Sequence, residues 1–137
     1  MTFEEIEDKL PNGFHDAEIR NIGIDFVGHS ITIGMNLHVS EHGDVDSERY
    51  RPGTLTVVSP YLFYLEAPDP RYPFVLDGSP INASSYSIED GKDIKFVPLL
   101  QRITSKATAF GFFLDDWNSY FNLAGASVEF SWDDGGS

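Results

Sequence analysis

His15 and Asp16 form the only adjacent histidine–aspartate pair in the chain, and Glu18 follows two residues later. Two carboxylates with one or two imidazoles can ligate a divalent metal or poise a general base. If the strand that begins near Asp16 folds back as a hairpin, His38 returns to the same end, with His42 nearby. Asp16, Glu18 and His38 are then the candidate metal ligands, and His15 joins them as a candidate binding residue. The competing reading is structural: aspartate at the start of an element bonds nearby backbone amides, so His15-Asp16 would fasten a helix-to-strand junction. Both readings are open on the residues alone.

Three other stretches carry chemical side chains. Asp44-Val-Asp-Ser-Glu48 has the alternating carboxylates of a calcium loop. An EF-hand counted from Asp44 needs glycine at its sixth position and glutamate at its twelfth. Arg49 and Leu55 stand there, so a solvated loop is expected. Asp115-Asp116-Trp117-Asn118 places a tryptophan on an acidic turn, either as a binding anchor or folded back over a sheet. Tyr61, Phe63, Tyr64, Tyr72 and Phe74 surround a proline-rich segment and either line a groove or pack in the core.

What is missing is informative as well. There is no cysteine, no G-x-S-x-G, no P-loop and no dinucleotide fingerprint. Arg49, Arg51 and Arg71 are scattered, so nucleic-acid binding is not expected. The chain leans away from enzymatic activity, and no cofactor is expected.

The elements that must position these residues are legible in part. Thr2-Phe-Glu-Glu5 is a capping box, and Phe3, Ile6 and Leu10 share one helical face, which predicts a helix over 2–10 ended by Pro11 and Gly13. Residues 16–40 read as a hairpin. Gly28-His29 suits a two-residue type II′ turn, which pairs Phe26 with Ile31, Ile24 with Ile33 and Ile22 with Met35. Apolar residues then change phase, and a bulge near Arg20-Asn21 restores them. That register sets Ala17 opposite Val39, Ile19 opposite Leu37, Glu18 facing His38, and Asp16 beside Ser40.

Thr54–Val58 predicts a third strand, and Tyr61–Leu65 a fourth or a continuation past Pro60, where an edge or a break is expected. A short strand is expected at Ser84–Ile88. The C-terminal strands lie within 102–132: Arg102–Leu114, a turn at Asp115–Asn118, then Ser119–Leu123 and Ser127–Trp132 separated by Gly125. Short alternating strands with Gly, Pro and Asp turns predict a mainly β fold, α+β at the margin. The expected architecture is an antiparallel β-sandwich or a strongly curved sheet with one short N-terminal helix, as a single domain over 1–137.

Bulk properties narrow the function. With 137 residues, 41% of them hydrophobic and 14% aromatic, the chain has ample core material. Without cysteine a reducing compartment is expected, and the acidic opening residues are unlike a signal peptide, so a cytoplasmic location is expected. The net charge of −13 repels phosphates and anionic membranes and suits a basic protein partner. A homodimer through an exposed sheet edge is a further expectation.

Leu10-Pro-Asn-Gly-Phe-His-Asp-Ala17, with Phe113-Leu-Asp-Asp-Trp-Asn118 and Val128-Glu-Phe-Ser-Trp132, resembles a group of small uncharacterised bacterial proteins. Phe14-His-Asp-Ala-Glu18 also resembles the opening of some immunity proteins of bacterial polymorphic toxin systems. The resemblance covers the first third and the last fifth of the chain and implies no catalytic residue. It implies a bacterial cytosolic protein that neutralises a partner. The leading expectation is thus a non-enzymatic acidic binding protein, an immunity-type inhibitor of a basic protein toxin. The rival is a metal-binding protein or metal-assisted enzyme using Asp16, Glu18 and His38.

Overall fold

A computed structural model describes residues 1–39, 49–72, 78–86 and 107–136. The expected loop at 41–48, with His42 and the Asp44–Glu48 run, lies outside the described residues, as do Ser40, Phe74, the last two residues of the expected 84–88 strand and residues 102–106.

Helix α1 spans Phe3–Lys9. Its capping box is complete: Thr2 Oγ1 accepts from the Glu5 amide at 3.2 Å, and the Thr2 amide donates to Glu5 Oε2 at 3.3 Å. Seven residues are marginal as a free helix, so stability must come from docking. Phe3 and Ile6 are buried. Phe3 stacks on Phe110 at 4.1 Å and on Phe14 at 4.9 Å, and its amide donates to Thr108 Oγ1 at 3.0 Å.

Among the described residues six strands follow: β1 Ala17–Asp25, β2 Ser30–His38, β3 Tyr50–Leu65, β4 Ile81–Tyr86, β5 Thr108–Leu114 and β6 Ser119–Trp132. The fold is mainly β, with one short helix. The strands close into an antiparallel barrel in the order β1-β2-β3-β6-β5-β4. The sandwich expectation is therefore corrected to the curved-sheet alternative carried to closure. Closure comes from Ala17, Ile19 and Glu18 of β1 pairing with Ala83, Ile81 and Asn82 of β4. One sheet thus buries its own inner face, and no second sheet is needed. That face carries Ile31, Ile33, Met35, Leu37, Leu55, Val57, Phe110, Phe112, Phe121, Leu123 and Val128, all buried. Among the described residues no helix is long and apolar enough to cross a membrane.

Two expectations about the strands change, and a third is decided between its alternatives. First, the β1–β2 turn has four residues, Phe26–His29, rather than two. Asp25 Oδ1 accepts from the amides of Val27 and Gly28, at 3.1 and 2.9 Å, which closes an Asx turn. The register therefore moves by two: Ile24 pairs with Ile31, Ile22 with Ile33, and Ile19 with Met35. The register does shift between Ile19 and Asn21, where the apolar phase calls for a bulge. Second, of the two alternatives at Pro60 the continuation holds. β3 runs through it, with Ser59 at φ 50° and a register shift between Pro60 and Leu62. The kink falls where β2 has just ended at Ser30, opposite Val58, so a proline there costs no ladder bond to β2. Third, Gly125 lies inside β6, which is continuous from Ser119 to Trp132.

Candidate functional site

The segment between α1 and β1 is tied down from both sides. Gly13 takes φ 56°, in the left-handed region open to glycine. Phe14 then enters the core, fully buried, with its ring stacked on Phe3 and edge-on to Phe112 and Phe130. Asn12 clamps the turn to the end of β2: its Nδ2 donates to the His38 carbonyl at 2.9 Å and lies 3.2 Å from His38 Nδ1. Nothing in the sequence marked Asn12 for this role, because its partner lies 26 residues away.

The expected Asp16, Glu18 and His38 cluster is divided among other partners. Asp16 pairs with its neighbour, His15 Nδ1 to Asp16 Oδ2 at 2.9 Å, and both side chains are exposed. Glu18 lies opposite Asn36, not His38, and accepts from Asn36 Nδ2 at 3.1 Å. His38 contacts Asn12 and meets the Tyr50 ring edge-on at 5.4 Å. The two-residue shift of register is the physical reason. Among the described residues no three metal-capable side chains gather at one point.

The structure instead joins two stretches that were separate in the sequence. β1 begins beside β4, and β4 pairs with the end of β5, so the 3-10 turn Asp115–Trp117 comes next to Asp16. The Asp115 carboxyl is raised above its ordinary value by partial burial, and further by the negative charges of Asp116 and Asp16. Asp116 Oδ2 accepts from the Asn82 amide at 2.9 Å, and Asn82 lies opposite Glu18. Asp16, Glu18, Asp115 and Asp116 thus form an acidic end of the barrel.

Trp117 is half-buried and packs against the core, and its carbonyl accepts from the Asp69 amide at 2.9 Å. Asn118, at φ 46°, closes the turn and donates to Asp69 Oδ2 at 3.0 Å. Three arginines are paired with aspartates elsewhere: Arg20 with Asp133 and Arg71 with Asp69, while Arg51 pairs with Asp134 and lies over the Trp132 ring.

Two predictions arise here. Asp16 sits at φ 54°, where a Cβ is strained and glycine is not. Asp16→Ala is expected to lower stability by about 1 kcal/mol for this backbone reason alone, whereas Asp16→Gly holds or raises it. Denaturant midpoints of the two variants check this; equal midpoints would refute the left-handed conformation.

The second concerns pH. A folded-state pKa raised above the ordinary 3.8 means that the native chain binds the Asp115 proton more tightly than the unfolded chain does. Lowering the pH through the raised value toward 3.8 therefore stabilises the fold through this group. Asp115→Asn is expected to raise the melting temperature at neutral pH and to remove that gain. Asp134 acts in the opposite sense: its hydrogen bond from Arg51 lowers it to about 2, so its contribution is lost as pH falls from 3.8 to about 2.

Comparison with protein-family models, with curated proteins and with solved structures finds no match for this chain. Its class follows from fold and site: a closed six-stranded antiparallel β-barrel plugged by one short helix, with an acidic end.

Proposed function

We propose that this chain is a non-catalytic acidic binding protein that occupies a basic surface of a protein partner, in the manner of an immunity-type inhibitor of a basic toxin. The observation that carries the reading is the convergence of Asp16, Asp115 and Asp116 on one barrel end, in a chain of net charge −13. The Asp115 carboxyl is raised first by partial burial and then by the neighbouring charges of Asp116 and Asp16, and a cationic partner relieves that repulsion. Such a surface also steers encounter with a basic protein and gives strong salt dependence. The resemblance of the Phe14–Glu18 segment to immunity proteins, and the lack of cysteine, fit a bacterial cytosolic setting.

The test is capture from a lysate of the source cell on the immobilised chain, with bound proteins identified by mass spectrometry. The triple variant Asp16→Asn, Asp115→Asn, Asp116→Asn runs in parallel, and asparagine tolerates the left-handed conformation at position 16. A basic protein should be retained at low salt, released at high salt, and bound at least about tenfold more weakly by the triple variant. Recovery of no basic protein, or equal capture by the triple variant, overturns the reading.

A further inference from the structure

The inner face of the barrel is uncovered beside the β1–β2 turn. Ile24 pairs with the core residue Ile31, and the Phe63 ring meets the core residue Phe121 at 5.7 Å. Both therefore belong to the core-facing side, yet Ile24 is 44% and Phe63 40% exposed. In the turn Phe26 is 82% and Val27 92% exposed, and Tyr61 stands exposed on β3. Ile24, Phe26, Tyr61 and Phe63 border an open groove of about 490 Å³ between the turn and Pro60–Phe63. A soluble chain that leaves this many large apolar side chains contiguous is presenting a contact surface.

The backbone beside the groove has the matching property. The His29 carbonyl accepts from the Ser59 amide at 2.9 Å, and β2 goes no further. Past Val58, β3 is paired with β6, and among the described strands none lies on its other side. A closed barrel removes sheet edges, and this stretch of β3 is one that closure leaves. A one-sided strand next to an apolar groove is what an added extended segment uses, main chain for affinity and alternate side chains for the pockets.

We propose that this groove seats an extended segment of the basic partner, one in which apolar side chains alternate with Lys or Arg. The proposal rests on the basic-partner reading above. Charge chooses the occupant. Among the described lining residues Asp25 is the one carboxylate, His29 the one basic side chain and none is Lys or Arg, and Glu66 follows the end of β3. A second copy would bring −13 against −13. In an alternating segment the period of two turns every apolar residue into the groove and every cation out toward solvent, in the field of a chain of net charge −13.

The test uses the full chain and three synthetic peptides of about eight residues, a usual strand length. One alternates Lys with Val and Phe, one alternates Lys with Ser, and one alternates Glu with Val and Phe. Calorimetric titration at low salt is expected to show the Lys/apolar peptide binding at least about tenfold tighter than either other. Phe26→Asp should erase the advantage over Lys/Ser without moving the melting temperature, since the side chain lies outside the core. The triple asparagine variant should weaken both lysine peptides and keep their ratio. Equal binding of the two lysine peptides, or a ratio that survives Phe26→Asp, overturns the groove and leaves the basic-partner reading intact. Equal binding of the Glu peptide overturns the cationic choice and counts against that reading too. A dimer by light scattering that Phe26→Asp dissolves overturns the proposal in favour of a second copy.

Discussion

Phe14→Ala is expected to cost about 3–5 kcal/mol, a large share of the stability of a domain this size. The ring is fully buried, stacked on Phe3 and edge-on to Phe112 and Phe130, so it joins the helix plug to the strands of the barrel. Its loss removes apolar burial and leaves a cavity that the closed sheet cannot collapse to fill. Next to it, His15→Ala removes an exposed side chain whose one ion pair is with its neighbour, and is expected to change stability by less than about 0.5 kcal/mol. Urea denaturation of both variants separates the two halves of the Phe14-His15-Asp16 motif. A Phe14→Ala cost below about 1 kcal/mol would mean that the plug does not hold the barrel.

The second large effect is at Gly125. A Cβ there would fall 2.5 Å from Val57 Cγ1 and 2.9 Å from the Val58 carbonyl oxygen. The side chain can rotate away, but the carbonyl belongs to the β3 ladder and cannot. Gly125→Ala is therefore expected to cost about 1–3 kcal/mol by overpacking. Gly125 pairs with Pro60 on one side and Thr108 on the other, so the strain falls where β3 kinks and β6 bends to follow it. If alanine is accepted within about 0.5 kcal/mol, the close approach of β3 and β6 is wrong.

The helix cap, the helix's buried face, the alternation of β1 and β2 and the bulge near Arg20 were all legible in the residues. Each depends on groups a few positions apart, so local bonding and a period of two or 3.6 determine it. The turn was not legible in the same way. Gly28-His29 reads as a two-residue turn, but the Asp25 carboxylate captures two amides and makes it four. That single side chain moves Phe26 from the core to solvent and Glu18 from His38 to Asn36.

Gly125 reads as a strand end, and Pro60 as a break or a continuation, because, taken singly, each weakens a strand. They face each other across β3 and β6, where a proline and a missing side chain meet at the same bend. Acidity, the strand-rich class and the elements held by local bonds follow from the residues alone. Closure of the sheet, the meeting of Asp16 with Asp115 and Asp116, and the open stretch of the inner face arise from long-range pairing. Those are pairings between residues tens of positions apart, set by register and by the end of each strand, and no local pattern encodes them.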